Sequence, residues 1–433
     1  MRLMGRQDDA CGTETAGHRH WTVDEHLADV LAGLTALPAI ELQLLDAQGC
    51  RLAEDVVAGG DLPPFDNSSM DGYAVRTADT VGATEQYPSV LAVVGEIAAG
   101  ADELPKVGPG QAARIMTGAP LPPGAQAVAP VEWTDGGTGS AQAATAMTAE
   151  AGPEVRVRQE VAEGAHIRRA GSDVRAGSTV LSAGAELGPT QLGLLAAIGR
   201  GEVRVRPRPR VVVLSTGSEL VQPGEPVGPG QIWDSNSYTL TAAAQQAGAI
   251  AYRVGGVPDD AAVLRRVLED QLGRADLIVT SGGVSVGAYD VVKEVFAEYG
   301  GVDFRKLRMQ PGKPQGFGRI GEAGVPLLAL PGNPVSAYIS FELFVRPAIR
   351  TLLGAPDVHR PVVRAVCTAD LVSPAGRRQF LRGWYGDGTV APVGGADSHL
   401  VGALARANCL ITVPEEAVAV TAGQPVDVVL LTD

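Results

Sequence analysis

TSGGVSVGAYD, at residues 280–290, follows the apolar run Leu277, Ile278 and Val279 and precedes a helix-periodic stretch at residues 291–296. A glycine-rich turn therefore joins a buried strand to a helix. Gly282, Gly283 and Gly287 lack a Cβ, so the backbone can take φ > 0 and close in on a bound group. The first N–H groups of the next helix are free donors for an anion, which outlines a phosphate cradle with Ser281 and Ser285 beside the glycines. The spacing is neither GxxxxGK[ST], since no lysine follows the last glycine, nor GxGxxG. Asp290 stands at the helix N-cap, where it either caps the helix or holds Mg²⁺ or a hydroxyl. On the glycines alone, an ordinary capped βα turn accounts for the stretch equally well.

The residues around this turn repeat the same grammar. VVVL at 211–214 is a fully apolar strand, and Asp234, Ser235 and Asn236 start a helix that runs to about Gln246 and stops at Gly248. Residues 249–254 form a second strand, and Pro258, Asp259 and Asp260 cap a helix reaching about Leu272. Residues 277–280 are a third strand and 290–299 a third helix. A strand at 327–330 then leads into PGNP, where Asn333 as N-cap and Pro334 at N1 open a long helix towards Leu353. Strand alternating with helix predicts a doubly wound α/β domain, with its ligand at the carboxyl ends of the strands. The polar loops fall at such ends: Ser215, Thr216, Gly217 and Glu219; Pro258 and Asp259; the glycine-rich turn; and Pro331, Gly332, Asn333 and Pro334. Their convergence favours the cradle reading.

On either side the text is β-rich. Thr22 begins an amphipathic helix with Val23, His26, Leu27, Val30, Leu31 and Leu34 on one face, which Pro38 ends. PPFDNSSMDGYAVR, at 63–76, is a turn-rich segment in which Asp66 or Asp71 suits a ligand or metal, although an Asx turn explains one of them. Short strands fill 90–157, with Thr117 just after one of them. Residues 136–151 read as an exposed hairpin tip, and Pro207 and Pro209 mark a linker. After Pro361 the period of two returns. We divide the chain into a disordered tail (1–20), an N-terminal helix and the start of a linker domain (21–53), and a β-rich inserted domain (54–167). The linker domain returns at 168–206, followed by the α/β domain (207–356) and a small C-terminal β barrel (357–433).

The 433 residues carry a net charge of −14, which excludes the broad basic face that nucleic acid or an anionic membrane needs. No run of about eighteen apolar residues spans a membrane. Cys11, Cys50, Cys367 and Cys409 lie far apart with no CxxC, so a cytoplasmic protein without a zinc or disulfide framework is expected. Of 35 basic residues only four are lysine, and Lys306 and Lys313 both fall in RKLRMQPGKP with Arg308 between them. Ammonium groups act as point charges for oxyanions, so this is a candidate anion site.

FDNSSMDGYAVR, RIMTGAP, LSTGSEL, SGGVSVGAYD, QPGKP and LPGNPVSA, in this order and spacing, closely resemble the molybdopterin molybdenumtransferases, the MoeA family that includes the E domain of gephyrin. The resemblance implies an elongated homodimer of four-domain subunits with a shared active site. In it the α/β domain binds adenylylated molybdopterin, and molybdate is inserted with release of AMP in the presence of Mg²⁺. It makes Asp66 and Thr117 contributions of the partner's β domain, Asp173 a further functional acid, and Glu219, Asp259 and Asp290 the acids around metal and substrate. Lys306 contacts the anion, Pro331 and Pro334 shape their loop, and Ser398 approaches the cleft from the C-terminal domain. Gln310 stands where several relatives carry a second lysine, which leaves Arg308 or Lys313 to compensate. The molybdopterin adenylyltransferase is a partner on this reading. Two other functions share the fold: adenylyl transfer to molybdopterin itself, and a non-catalytic scaffold.

Overall fold

The computed structural model describes residues 20–138, 146–283, 291–299 and 301–432. Ser285, Gly287 and Asp290 lie outside the described residues, as do Cys11, most of the tail and part of the hairpin tip at 136–151. The chain divides into two units, one of residues 1–41, 49–53 and 204–433, the other of 42–48 and 54–203.

The first unit is built on a six-stranded sheet. Its strands are β1 (Arg210–Thr216), β2 (Ile250–Val257), β3 (Leu277–Ser281), β4 (Val302–Lys306), β5 (Pro314–Ile320) and β6 (Val325–Leu330), in spatial order β2-β1-β3-β6-β5-β4. The first four in that order are parallel, and β5 and β4 add an antiparallel edge. Alternate residues of the central strands enter two different cores. Val211, Val213, Leu277, Val279, Leu328 and Leu330 face one, while Val212, Leu214, Ile278, Leu327 and Ala329 face the other. Burial on both faces is why these strands read as unbroken apolar runs rather than as alternation.

Helices close both faces. Val23–Ala32 (α1) and Asn236–Gln246 (α2) put Val30 and Leu240 into the first core; Ala261–Leu272 (α3) and Val291–Tyr299 (α4) put Leu264, Leu268, Val295 and Phe296 into the second. The start of α1 is a capping box. The Glu25 amide donates to Thr22 Oγ1 (3.1 Å), and the Thr22 amide donates back to Glu25 Oε2 (2.8 Å). Asp260 caps α3 through the Val263 amide (2.9 Å), within the Pro258 to Asp260 group that the sequence singled out.

Two features depart from the expectation. The long helix opened by Pro334 is α-helical over Pro334–Ser340 (α5), π-helical over Phe341–Val345 and α-helical again over Arg346–Leu352. Buried Glu342 lies in the π segment and receives Nε of buried Arg360 at 2.9 Å, a pairing in space that helical periodicity does not encode. The edge strands β4 and β5 are hidden in the sequence, because β4 is a short charged stretch whose end falls in the turn-like RKLRMQPGKP, and Pro314, Gly316 and Gly318 interrupt β5.

The C-terminal stretch of this unit forms a closed five-stranded barrel. Val362–Cys367, Arg378–Gly386, Thr389–Pro392, Cys409–Val413 and Pro425–Leu430 each pair with two others, so the ring has no open edge. Its core takes Cys367, Leu381, Cys409, Ile411 and Val428. Burial pushes the Cys409 thiol up to about 12, so it stays protonated there.

The second unit carries a five-stranded mixed sheet in the order Glu154–Val157, Ser89–Ile97, Gln111–Ile115, Gly72–Val75 and Ala127–Pro130. Buried Tyr73, Leu91, Val155 and Val157 on one face, and Ala74, Ile97 and Ile115 on the other, form its cores. Among the described residues no helix is long and apolar enough to cross a membrane.

Candidate functional site

The chain leaves β1, β2, β3 and β6 on the same edge of the sheet. Because β1 is flanked by β2 on one side and β3 on the other, successive crossovers run in opposite directions from it. That opens a crevice at the carboxyl ends. The crevice, about 860 Å³, is lined from β1 by Ser215, Thr216, Gly217 and Glu219, and from β2 by Asp259. Ser281, Gly282 and Gly283 line it after β3, as do Pro331, Gly332, Asn333 and Pro334 after β6. Lys313 and Ser398 line it as well.

Hydrogen bonds lock these loops together. Asn236, the first residue of α2, donates from Nδ2 to Ser281 Oγ and to the Gly332 carbonyl, both at 2.7 Å. The Ser218 amide donates to Asp259 Oδ2 (3.3 Å), and the Asp259 amide to Ser218 Oγ (3.1 Å), so Glu219 and Asp259 are held on neighbouring loops. Asp234 is buried and structural. Its carboxylate receives Ser215 Oγ (3.0 Å), the Ser237 amide (3.0 Å) and Ser237 Oγ (2.6 Å), tying the end of β1 to the start of α2.

Two glycines are required by sterics. Gly282 has φ +100°, and a Cβ there would sit 2.4 Å from the Thr216 carbonyl oxygen; at Gly283, with φ +68°, it would sit 2.3 Å from Val292 Cγ2. The glycine turn thus packs directly on β1 and α4.

The QPGKP loop supplies the cationic wall. Buried Gln315 holds it by donating from Nε2 to the Gly312 carbonyl (2.7 Å) and to Ser340 Oγ (2.6 Å). Lys313 lines both the main crevice and a smaller hollow of about 390 Å³, which His20, Arg308 and Arg377 also line. Arg377 donates from Nη1 to Gln310 Oε1 (3.1 Å). The loop therefore has a guanidinium against Gln310. Ser398 accepts the Val335 amide on its backbone oxygen (3.0 Å), which brings the barrel loop carrying Asp397, Ser398 and His399 to the start of α5.

The remaining expected residues are placed otherwise. Lys306 is exposed at the end of β4 and is not among the residues lining the crevice. Asp66, Thr117 and Asp173 belong to the second unit. Asp66 receives the Ala170 amide (2.8 Å) and Arg169 Nη1 (2.6 Å), which hold its carboxyl below the usual carboxylate range. Thr117 donates from its amide (2.7 Å) and its hydroxyl (2.9 Å) to Asp71 Oδ1. Of the two aspartates in that segment, Asp71 is therefore committed to the turn. Sequence reasoning missed Arg377 and Asn236 and gave His399 no role. Asn236 was visible only as part of a helix start, and nothing local tied Arg377 to a loop 67 residues earlier.

A doubly wound α/β sheet whose crevice combines glycine-built turns, carboxylates and a cationic loop defines a class of protein that handles a phosphate-bearing small molecule. Family models assign it more closely. The MoeA N-terminal region (domains I and II) matches residues 21–199, the probable molybdopterin binding domain matches 212–351, and the MoeA C-terminal region (domain IV) matches 364–431. The chain belongs to the MoeA family of molybdopterin molybdenumtransferases. It is 49% identical over 415 residues to molybdopterin molybdenumtransferase 2 of Mycobacterium tuberculosis, covering 94% of this chain and 98% of that one. It is 37% identical over 396 residues to the Haemophilus influenzae molybdopterin molybdenumtransferase, covering 89% and 92%. The crystal structure of the molybdopterin biosynthesis MoeA protein from Pyrococcus horikoshii superposes with a TM-score of 0.74 at 31% identity, covering 96% of this chain and 100% of that one.

Proposed function

We infer that this protein inserts molybdate into adenylylated molybdopterin, with release of AMP, in the formation of molybdenum cofactor. The observation that carries the reading is the convergence on one crevice of the glycine turn after β3, the PGNP loop, the Glu219 and Asp259 carboxylates, Lys313 and the Ser398 loop. Lys313, with Arg377 in the adjoining hollow, supplies the positive charge for an oxyanion or phosphate, and Ser281 and the glycine turn bring polar backbone close to it. The match of the MoeA N-terminal and C-terminal regions alongside the molybdopterin-binding region favours insertion over the adenylyl transfer step.

Mg²⁺ fits the donor set. Hard carboxylate oxygens suit it, and it commonly takes one or two carboxylates with phosphate oxygens and water. Glu219 and Asp259 would hold it, with Asp290 as a third candidate outside the described residues. When bound, it would offset charge on the anhydride that links AMP to the pterin. Among the described residues no three His, Cys, Asp or Glu form a metal-holding group, so phosphate and water would complete the shell.

The working form on this reading is a cytoplasmic homodimer, with Asp66 and Thr117 contributed by a second copy and the molybdopterin adenylyltransferase delivering the substrate. Full-length protein given molybdate, Mg²⁺ and adenylylated molybdopterin should release AMP, measured by chromatography, and yield cofactor that reconstitutes an apo-molybdoenzyme. Failure of both would end the reading, whereas pyrophosphate release from ATP and molybdopterin would point to adenylyl transfer. Sedimentation velocity at micromolar protein should show a dimer.

A further inference from the structure

We propose that Trp233 is the stacking platform for a planar, nitrogen-bearing bicycle of the ligand, the adenine or the pterin. This inference rests on the reading that the crevice takes an adenylylated pterin. Ile232–Trp233 pairs in parallel with Leu220–Val221, forming a short two-stranded flap beyond β1. The flap is pinned at both ends, by the Ile232 amide on the Glu219 carbonyl and by the Asp234 amide on the Val221 carbonyl, each at 2.9 Å. The indole Nε1–H donates to the Glu225 carbonyl at 2.9 Å. Its one donor is thus used inside the chain, and what the indole keeps for a ligand is its π surface.

Trp233 lines the crevice and is 55% exposed, beside Ile232 at 57%. In a chain with 4% aromatic residues, it is, among the described residues, the only tryptophan, tyrosine or phenylalanine lining the crevice. Trp21, by contrast, is covered by the Arg305 guanidinium, 3.7 Å from the ring centroid, and Tyr238 by that of Arg253 at 4.3 Å. Glycine turns, carboxylates and Lys313 wall much of the rest and suit phosphate and metal, while Leu220, Ile232, Met309 and Pro311 add apolar surface but no broad π face. A ligand joining a purine and a pterin through phosphates needs an apolar face for at least one ring. Stacking of a base on an aromatic side chain is worth about ten- to a hundredfold in affinity.

The test uses the full chain and three probes by calorimetry: AMP, 6-hydroxymethylpterin, and ribose 5-phosphate, which keeps sugar and phosphate but has no bicycle. Trp233→Ala is expected to weaken AMP or the pterin by about tenfold or more. Trp233→Phe should stay within about threefold, and ribose 5-phosphate should bind all three proteins alike. An effect on AMP alone assigns the ring as adenine, and one on the pterin alone assigns it as pterin. Unchanged binding of both bicycles, equal weakening of ribose 5-phosphate, or no binding of any probe to the wild type overturns the proposal. If the alanine variant does not fold, Trp233→Leu against Trp233→Phe decides, since equal bicycle affinity in that pair is equally fatal. The AMP-release assay is separate. A wild type that binds bicycles through Trp233 but releases no AMP would end the insertion reading and not this one.

Discussion

Arg377, from the strand end that enters the barrel, donates to the side-chain oxygen of Gln310 in the QPGKP loop at 3.1 Å. The contact delivers a guanidinium to this loop, where it lines the same hollow as Lys313. Arg377→Ala should therefore weaken molybdate by about ten- to a hundredfold, the scale of a hydrogen bond to a charged group. The dependence of AMP release on molybdate concentration measures this. An unchanged half-saturation would assign the oxyanion to other cations.

Asn236 supplies both side-chain donors that join Ser281 to Gly332. Asn236→Ala should lower stability by about 1 kcal/mol, because buried Ser281 loses a partner while the exposed Gly332 carbonyl can turn to water. Asn236→Asp should be the more harmful variant despite its equal size, because it sets a carboxylate oxygen against a carbonyl oxygen. Urea denaturation ranks the two.

His26 gives acid sensitivity. It is fully buried on α1, edge-on to Phe344 with ring centroids 4.7 Å apart, and Arg305 faces its Nδ1 at 3.4 Å. Burial, and then the Arg305 charge, depress its pKa from the ordinary 6.5 to about 4, against opposing contributions from Asp29 and Asp303. The unfolded chain then binds a proton that the folded chain refuses between these values. Stability is fully present above about pH 6.5 and falls as pH drops towards 4, by about 3 kcal/mol from this group. His26→Leu should flatten the slope of unfolding free energy across that window; an identical slope would place the acid sensitivity elsewhere.

Gly282 is the most demanding position of the turn. Gly282→Ala would set a methyl 2.4 Å from the Thr216 carbonyl oxygen at φ +100°, so β1 and β3 must part. We expect a loss of at least about 2 kcal/mol and of AMP binding, read by thermal denaturation and calorimetry. The matched control is Gly273→Ala, which meets no atom within 4 Å at a helix C-cap and should change little.

Much of the α/β architecture was legible in the chain because strands buried on both faces must be continuously apolar, as residues 211–214 and 277–279 are. Caps announced themselves too: Thr22, Asp260 and Asn333 stand where the helices begin. The crevice loops could be found because a doubly wound sheet places its ligand at strand ends, and those ends carried the polar residues. Less legible were the π segment around Glu342 and the antiparallel strands β4 and β5. The first holds a buried glutamate whose partner, Arg360, comes from beyond the helix; of the strands, β4 is short and charged and β5 is broken by proline and glycine.

By itself, then, the amino-acid order determined the local chemistry: which turns need glycine, which runs must be buried, and which loops carry carboxylate or ammonium. It could do so because steric limits, periodicity and capping act over a few residues. Only the tertiary structure decided that Arg377 stands against Gln310, that Asn236 ties two loops together, that Lys313 rather than Lys306 lines the crevice, and that Trp233 lines it too. Those relationships join residues tens of positions apart, and their geometry follows from how strands and helices pack, which no local stretch of the chain contains.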